Sequence, residues 1–184
     1  MVKDKSVQMV VRIGFLSAVG LVLTFFEFPI LPSAPFLKYD ASEVPALIAA
    51  FGMGPLAGFL TVFLKSLLFH FSGKNMTGIV GTSAMIVAGT ALVVPAGIVY
   101  ARMKNIRGAV LGLLSGIVGI TVIMFFANLY VLLPLWGIPE EIRASLVRSA
   151  VVPFNIIKGF TSSIVTFLLY KRVSSIVRLD KPIV

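Results

Sequence analysis

Apolar residues run through this chain in long blocks, not in the alternation of a half-buried strand or the narrow stripe of a surface helix. The blocks fall at about 9–28, 43–54, 55–71, 79–101, 108–133 and 149–172. A helix needs roughly 20 predominantly apolar residues to cross a bilayer, and the chain offers several such runs in succession. The second block is short and meets the third at Gly52, Gly54 and Pro55, a natural helix break. This reads as two spans, the first short or tilted; one kinked span in their place would make five crossings in all.

The connections are polar or basic. Residues 30–42 (I-L-P-S-A-P-F-L-K-Y-D-A-S) form a loop stiffened by Pro32 and Pro35. It is long for a bundle connection, as lids often are. Its Phe36, Leu37 and Tyr39 are apolar groups out of place on a loop facing only water, although a loop resting among lipid head groups would also carry them. A short polar loop covers 72–78, and Arg102, Lys104 and Arg107 mark a basic turn. Residues 134–148 read as a loop holding Trp136, Glu140 and Glu141, with Trp136 an interfacial anchor. Gly108, Gly112 and Gly116 recur every four residues and predict a groove for close helix contact. Gly14-x-x-x-Ala18 on the first block is a second small-residue pattern of that kind.

Composition fits this picture. Hydrophobic residues make up 58% of the chain and charged residues 12%, with a mean hydropathy of +1.04, whereas a soluble domain carries about a quarter charged residues. The expectation is one all-α membrane domain over 1–184, a six-transmembrane-helix bundle. The net charge of +9 is concentrated at span ends and does not call for nucleic acid. With both termini inside, the inner segments (3–12, 102–107, 171–181) hold ten Lys or Arg, including Arg178 and Lys181. The outer loops hold four, Lys38, Lys74, Arg143 and Arg148. The positive-inside rule therefore predicts N-in, C-in, with the 30–42 loop external and acting as a lid. The first block is predicted to remain as a span and not to be cleaved as a leader.

Two ionisable residues fall within spans, Lys65 and Lys158, and burying them is expensive enough to point to function. On a helix Asn155, Lys158 and Thr161/Ser162 share one face. In the predicted topology Lys65 lies roughly 9 Å below the outer end of its span at 1.5 Å per residue. Asn128, Asn155 and Lys158 lie in the outer thirds of theirs, all beneath Phe36, Leu37, Lys38, Tyr39 and Asp40. That is the pattern of an externally open pocket under a lid, offering donors to carbonyls, hydroxyls or a phosphate beside an apolar wall. Competing readings are that Lys65 snorkels to the interface, that His70 is interfacial, and that Asn128 bridges helices. No acidic cluster within the spans is expected, which disfavours a cationic substrate. The single His and the lack of Cys leave no Ser-His-Asp, thiol or metal-ligand grouping, so enzyme activity is not expected. No G-x-x-x-x-G-K-[S/T] occurs, so uphill transport would draw on an ion gradient or a partner chain.

Several runs together resemble a known family. They are Y-D-A-S-E-V-P-A-L-I-A-A-F-G-M-G-P-L-A-G (39–58), F-L-K-S-L-L (63–68), F-F-A-N-L-Y-V-L-L-P-L (125–135) and P-F-N-I-I-K-G (153–159). The chain is similar to the S components of energy-coupling factor (ECF) vitamin transporters, and among them to the riboflavin-specific branch. The resemblance implies capture of riboflavin as a transported ligand, with no cofactor, and Asn128, Asn155 and Lys158 as its polar contacts. The two lysines within the spans add flavin phosphates as further candidate ligands, and the resemblance implies as partners a transmembrane coupling protein with two separate ATPase subunits in a prokaryotic plasma membrane. Family members dock through small residues on the first span, A-x-x-x-A; the nearest match is Gly14 and Ala18, with Gly replacing the first Ala.

Overall fold

In the computed structural model, which describes residues 2–177, the chain is helical apart from one two-residue ladder. Arg178 and Lys181, counted above among the inner charges, lie outside the described residues. Helix α1 (Val2–Thr24) leads into a loop. There β1 (Phe28–Pro29) pairs antiparallel with β2 (Lys38–Tyr39), Phe28 opposite Tyr39. The segment between them is closed by turns in which Ala34 N donates to Leu31 O and Leu37 N to Ala34 O, both at 3.0 Å. The predicted irregular loop is thus a small hairpin, tied at its base by a 2.7 Å ion pair between Lys38 and Glu27.

Helix α2 (Glu43–Met53) stops at Gly54, whose φ of 102° is open to glycine and strained for other residues. Helix α3 (Pro55–Phe71) starts on Pro55, where the missing N–H costs nothing. The two fold back on each other so closely that a Cβ on Gly58 would lie 2.6 Å from the Ala50 Cβ. The single kinked span is thereby excluded, since kinked halves of one rod do not pack side by side. With 11 residues, α2 reaches about 16 Å, short of the ~30 Å hydrocarbon core. Helix α4 is Gly78–Met103. Helix α5 (Ile106–Ala127) runs on through a π-helical turn (Asn128–Leu132) into the short α6 (Leu133–Leu135).

The predicted 134–148 loop is corrected. Only 136–139 are loop, because Pro134 and Leu135 end α6 and α7 (Glu140–Leu146) is already helical and continues through a second π-helical turn (Val147–Val151) into α8 (Val152–Val177). Glu140 and Glu141 stand in its first turn, where carboxylates offset the positive end of the helix dipole. Among the described residues four helical stretches are long and apolar enough to cross a membrane: Ser6–Thr24, Gly78–Met103, Ile106–Leu135 and Glu140–Leu169. α2 and α3 are shorter apolar helices.

Both π turns precede a proline. Leu133 N donates to Asn128 O and Val152 N to Val147 O, each skipping five residues instead of four, and Pro134 and Pro153 follow. A proline has no N–H and its ring crowds the carbonyl four residues back, so a widened turn relieves the clash.

The core lies between α2, α3, α4 and α5, around Leu47, Val62, Leu92 and Leu113, with Phe51 stacked on Tyr100 at 4.4 Å. The predicted glycine groove is present. Cβ atoms on Gly112 and Gly116 would lie 2.7 Å from Ala96 O and 2.4 Å from Leu92 O of α4. Gly14, in contrast, faces open space.

Gly116→Ala is therefore expected to destabilise the detergent-solubilised protein by about 1–3 kcal/mol, the usual cost of overpacking. Gly14→Ala is expected to hold or raise its melting temperature, since alanine favours helix and nothing is displaced. Equal melting temperatures for the two variants would contradict the close α4–α5 contact.

Candidate functional site

The hairpin, the 72–77 turn, α4, the first π turn and α8 enclose an open-mouthed cavity of about 220 Å³. Six of the eight ligand-site residues expected from sequence line it: Phe36, Leu37, Asp40, Asn128, Asn155 and Lys158. Each arrives for a local reason. The ladder places the residues just before and after β2 (Leu37, Asp40) over the bundle end, and Leu37 packs on Leu133, Val147 and Val151. The first π turn begins at Asn128 and the second ends four residues before Asn155, so the two widened turns adjoin the two amides.

Both asparagines are buried, and each donates Nδ2 to the carbonyl four residues back, Asn128 to Met124 and Asn155 to Val151, both at 2.8 Å. Each amide keeps its Oδ1 and one N–H for something else. The turn at the mouth is pinned by Asn75, which donates to Thr82 Oγ1 at 2.8 Å and Gly78 O at 3.0 Å, with His70 Nδ1 2.8 Å from the same hydroxyl. His70 is thus part of the rim's scaffold, beyond the interfacial role expected of it.

Tyr39 and Lys65 do not line the cavity. Tyr39 is buried edge-on against Phe28 at 5.7 Å. Burial pushes its hydroxyl upward in pKa, against the pull of Ser162 and Lys158. Lys65 is 0% exposed, which excludes snorkelling to the interface. It donates to Ser42 Oγ and to Glu43 Oε1 at 3.0 Å. The other oxygen of Glu43 lies 3.3 Å from Lys158 Nζ, and Asp40 Oδ2 is also 3.3 Å from it. Asp40 Oδ1 accepts from Ser42 N at 2.8 Å.

Two lysines and two carboxylates thus form one buried network of zero net charge. The expectation of no acidic cluster is corrected at the start of α2, where Asp40 and Glu43 are buried together beside Lys158. Burial alone would raise the Asp40 carboxyl; the Lys158 and Lys65 ammoniums and the bonds from Ser42 outweigh it and hold the group well below the usual carboxylate range.

Glu43 and Trp136, both cavity-lining, were missed as site residues. The signal for Glu43 was an acid three residues after Asp40 at the start of an apolar block. Trp136 gave none beyond its type. Gly14 and Ala18 do not line the cavity. Ala18 is exposed on α1, on a flank where Val11, Phe15 and Val22 are exposed as well.

The ECF transporter, substrate-specific component family matches residues 8–170. The riboflavin transporter RibU of Staphylococcus aureus (strain TCH60) is 35% identical over 175 residues, covering 91% of each chain. The riboflavin transporter FmnP of Bacillus subtilis (strain 168) is 30% identical over 172 residues, covering 89% of this chain and 90% of the relative. A solved S component of a bacterial ECF transporter superposes with a TM-score of 0.81 at 35% identity, over 93% of this chain and 98% of that one. The resemblance read from the sequence motifs is borne out.

The network makes a pH prediction. Asp40 has a folded pKa below its unfolded value, so the stability it contributes is fully present above about pH 4 and is lost as acid takes the pH down through the folded value. Melting curves between pH 7 and pH 3 should be level in this respect until below about pH 4. Asp40→Asn should melt lower at pH 7 and lose less on further acidification; an acid limb unchanged by the substitution would contradict the assignment.

Proposed function

The chain belongs to the ECF transporter substrate-specific components, and we propose that within that family it is the subunit that captures riboflavin for an ATP-driven importer. It acts by binding and release, not by catalysis. The observation that carries the choice of ligand is the pairing of riboflavin-transporter relatives with a cavity lined by both polar and apolar side chains.

Asn128, Asn155 and Lys158 meet the carbonyl and ring-nitrogen edge of the flavin, with two amides that both donate and accept and one ammonium that donates. Phe36, Leu37, Phe154 and Trp136 cover its flat apolar body. Tyr39, Asp40 and Lys65 act from behind this surface, through the hairpin and the charge network. Flavin phosphates form a further ligand class. Their phosphate end finds Lys74 and Asn75 at the mouth, since both buried lysines are already matched by carboxylates.

In this reading the whole of 1–184 works as one domain of six membrane-embedded helices in a prokaryotic plasma membrane, both ends inside. The 30–42 hairpin faces out as the lid. Riboflavin enters from outside, and partner ATPase subunits acting through a coupling protein drive its release inward. Gly14 and Ala18 give the coupling protein a surface of small side chains on α1, where two helices approach closely.

Trp136 is the one tryptophan of the chain and lines the cavity, so it reports binding directly. Micromolar riboflavin should quench it, and Lys158→Ala should weaken the affinity by about 1–3 kcal/mol, the range for losing a hydrogen bond to a charged group. Absence of quenching together with unquenched riboflavin fluorescence would overturn the ligand. Ala18→Leu should leave this binding intact and abolish riboflavin uptake in vesicles containing the coupling and ATPase subunits. Uptake by vesicles holding this chain alone would favour a stand-alone carrier.

A further inference from the structure

Lys65 is the largest fully buried side chain among the described residues, and it touches no part of the cavity. A buried ammonium so placed is costly unless it is paired, and its position is enclosed with care. A Cβ on Gly20 of α1 would lie 3.3 Å from both Lys65 Cδ and Ser42 O, so the absence of a side chain at Gly20 lets α1 close over the lysine stem.

The Glu43 carboxylate is divided between two cations. Oε1 is held by Lys65 at 3.0 Å, while Oε2 stands 3.3 Å from Lys158. Asp40 Oδ2, at 3.3 Å, is the other anion on Lys158. An ammonium has three donors; two of those on Lys158 face carboxylates at this longer distance, and Lys158 also lines the cavity.

We propose that Lys65 and Glu43 are positioning residues for riboflavin: Lys65 occupies half of the Glu43 carboxylate, and this balance keeps the Lys158 ammonium turned toward the ligand. The proposal rests on the reading of the cavity as the riboflavin site. Without Lys65, two buried carboxylates share one lysine and the network carries a net negative charge. Lys158 is then drawn onto the carboxylates and away from the cavity, and binding weakens although no ligand contact has been removed. Removing the Glu43 charge as well restores the balance, leaving one carboxylate, Asp40, on one lysine. A second loss should therefore repair the first, which a purely structural role for Lys65 does not predict.

The test compares riboflavin dissociation constants of the wild type, Lys65→Met and Lys65→Met/Glu43→Gln in detergent, by flavin fluorescence quenching, with the folded fraction of each fixed by its melting curve. Lys65→Met should bind about tenfold or more weakly, as for loss of one hydrogen bond to a charged group, and the double variant should recover most of that loss. Wild-type affinity in Lys65→Met, or a double variant weaker than Lys65→Met, overturns the positioning role while leaving the riboflavin reading intact. A folded wild type that does not bind riboflavin overturns both. If Lys65→Met does not fold, the double variant decides. Folding and binding within about tenfold of wild type support the balance; a folded double variant that fails to bind, or one that also fails to fold, refutes it.

Discussion

A lysine ammonium buried in an apolar bundle must find its counter-charge inside the protein, and this chain buries two. Lys65 and Lys158 come from α3 and α8, and their partners Glu43 and Asp40 come from the start of α2 and the end of the hairpin. Three regions far apart in sequence, residues 40–43, Lys65 and Lys158, are thereby fixed at one level of the fold. Removing one member of a buried pair costs more than the pair contributes, because the survivor is stranded. The network therefore determines where the hairpin can rest: Asp40 must stay beside Lys158 to keep the charges matched, and the residues flanking it, Phe36, Leu37 and Tyr39, are held over the bundle end.

The two prolines work on the same end of the molecule by a different means. Pro134 and Pro153 each widen the preceding turn, and the widened turns adjoin Asn128 and Asn155. The side-chain amides donate back to carbonyls of their own helices, which immobilises them and commits their remaining oxygen and N–H to whatever occupies the cavity. Rigid donors and acceptors around a hollow cost less to organise on binding than mobile ones.

Much of this was legible in the chain because glycine and proline punctuate it. The α2–α3 break at Gly54-Pro55, the end of α3 and the glycine face of α5 all lie where the apolar blocks placed them. The helix from Glu140 was not legible, since Gly137, Pro139 and the mixed polarity after it read as loop. The cue it did carry was Pro139 followed by two acids, a helix-start signal. Asn128, Asn155 and Lys158 stood out because polar groups are rare within spans. The role of Lys65 did not, because its partner Glu43 lies 22 positions away across a hairpin, and Asp40 is separated from Lys158 by 118. Periodicity reports the face a residue shares within one helix; it is silent on which faces meet.

The proposed riboflavin site is built by a neutral charge network and two proline-widened turns under the 30–42 hairpin. An experimental structure of the protein with riboflavin bound tests it most directly. The flavin ring edge should lie within hydrogen-bonding distance of Asn128, Asn155 and Lys158, with the hairpin closed over it and Glu43 still bridging Lys65 and Lys158. A flavin seated elsewhere, or one seated there with Lys158 withdrawn onto Asp40 and Glu43 and making no contact, would contradict it.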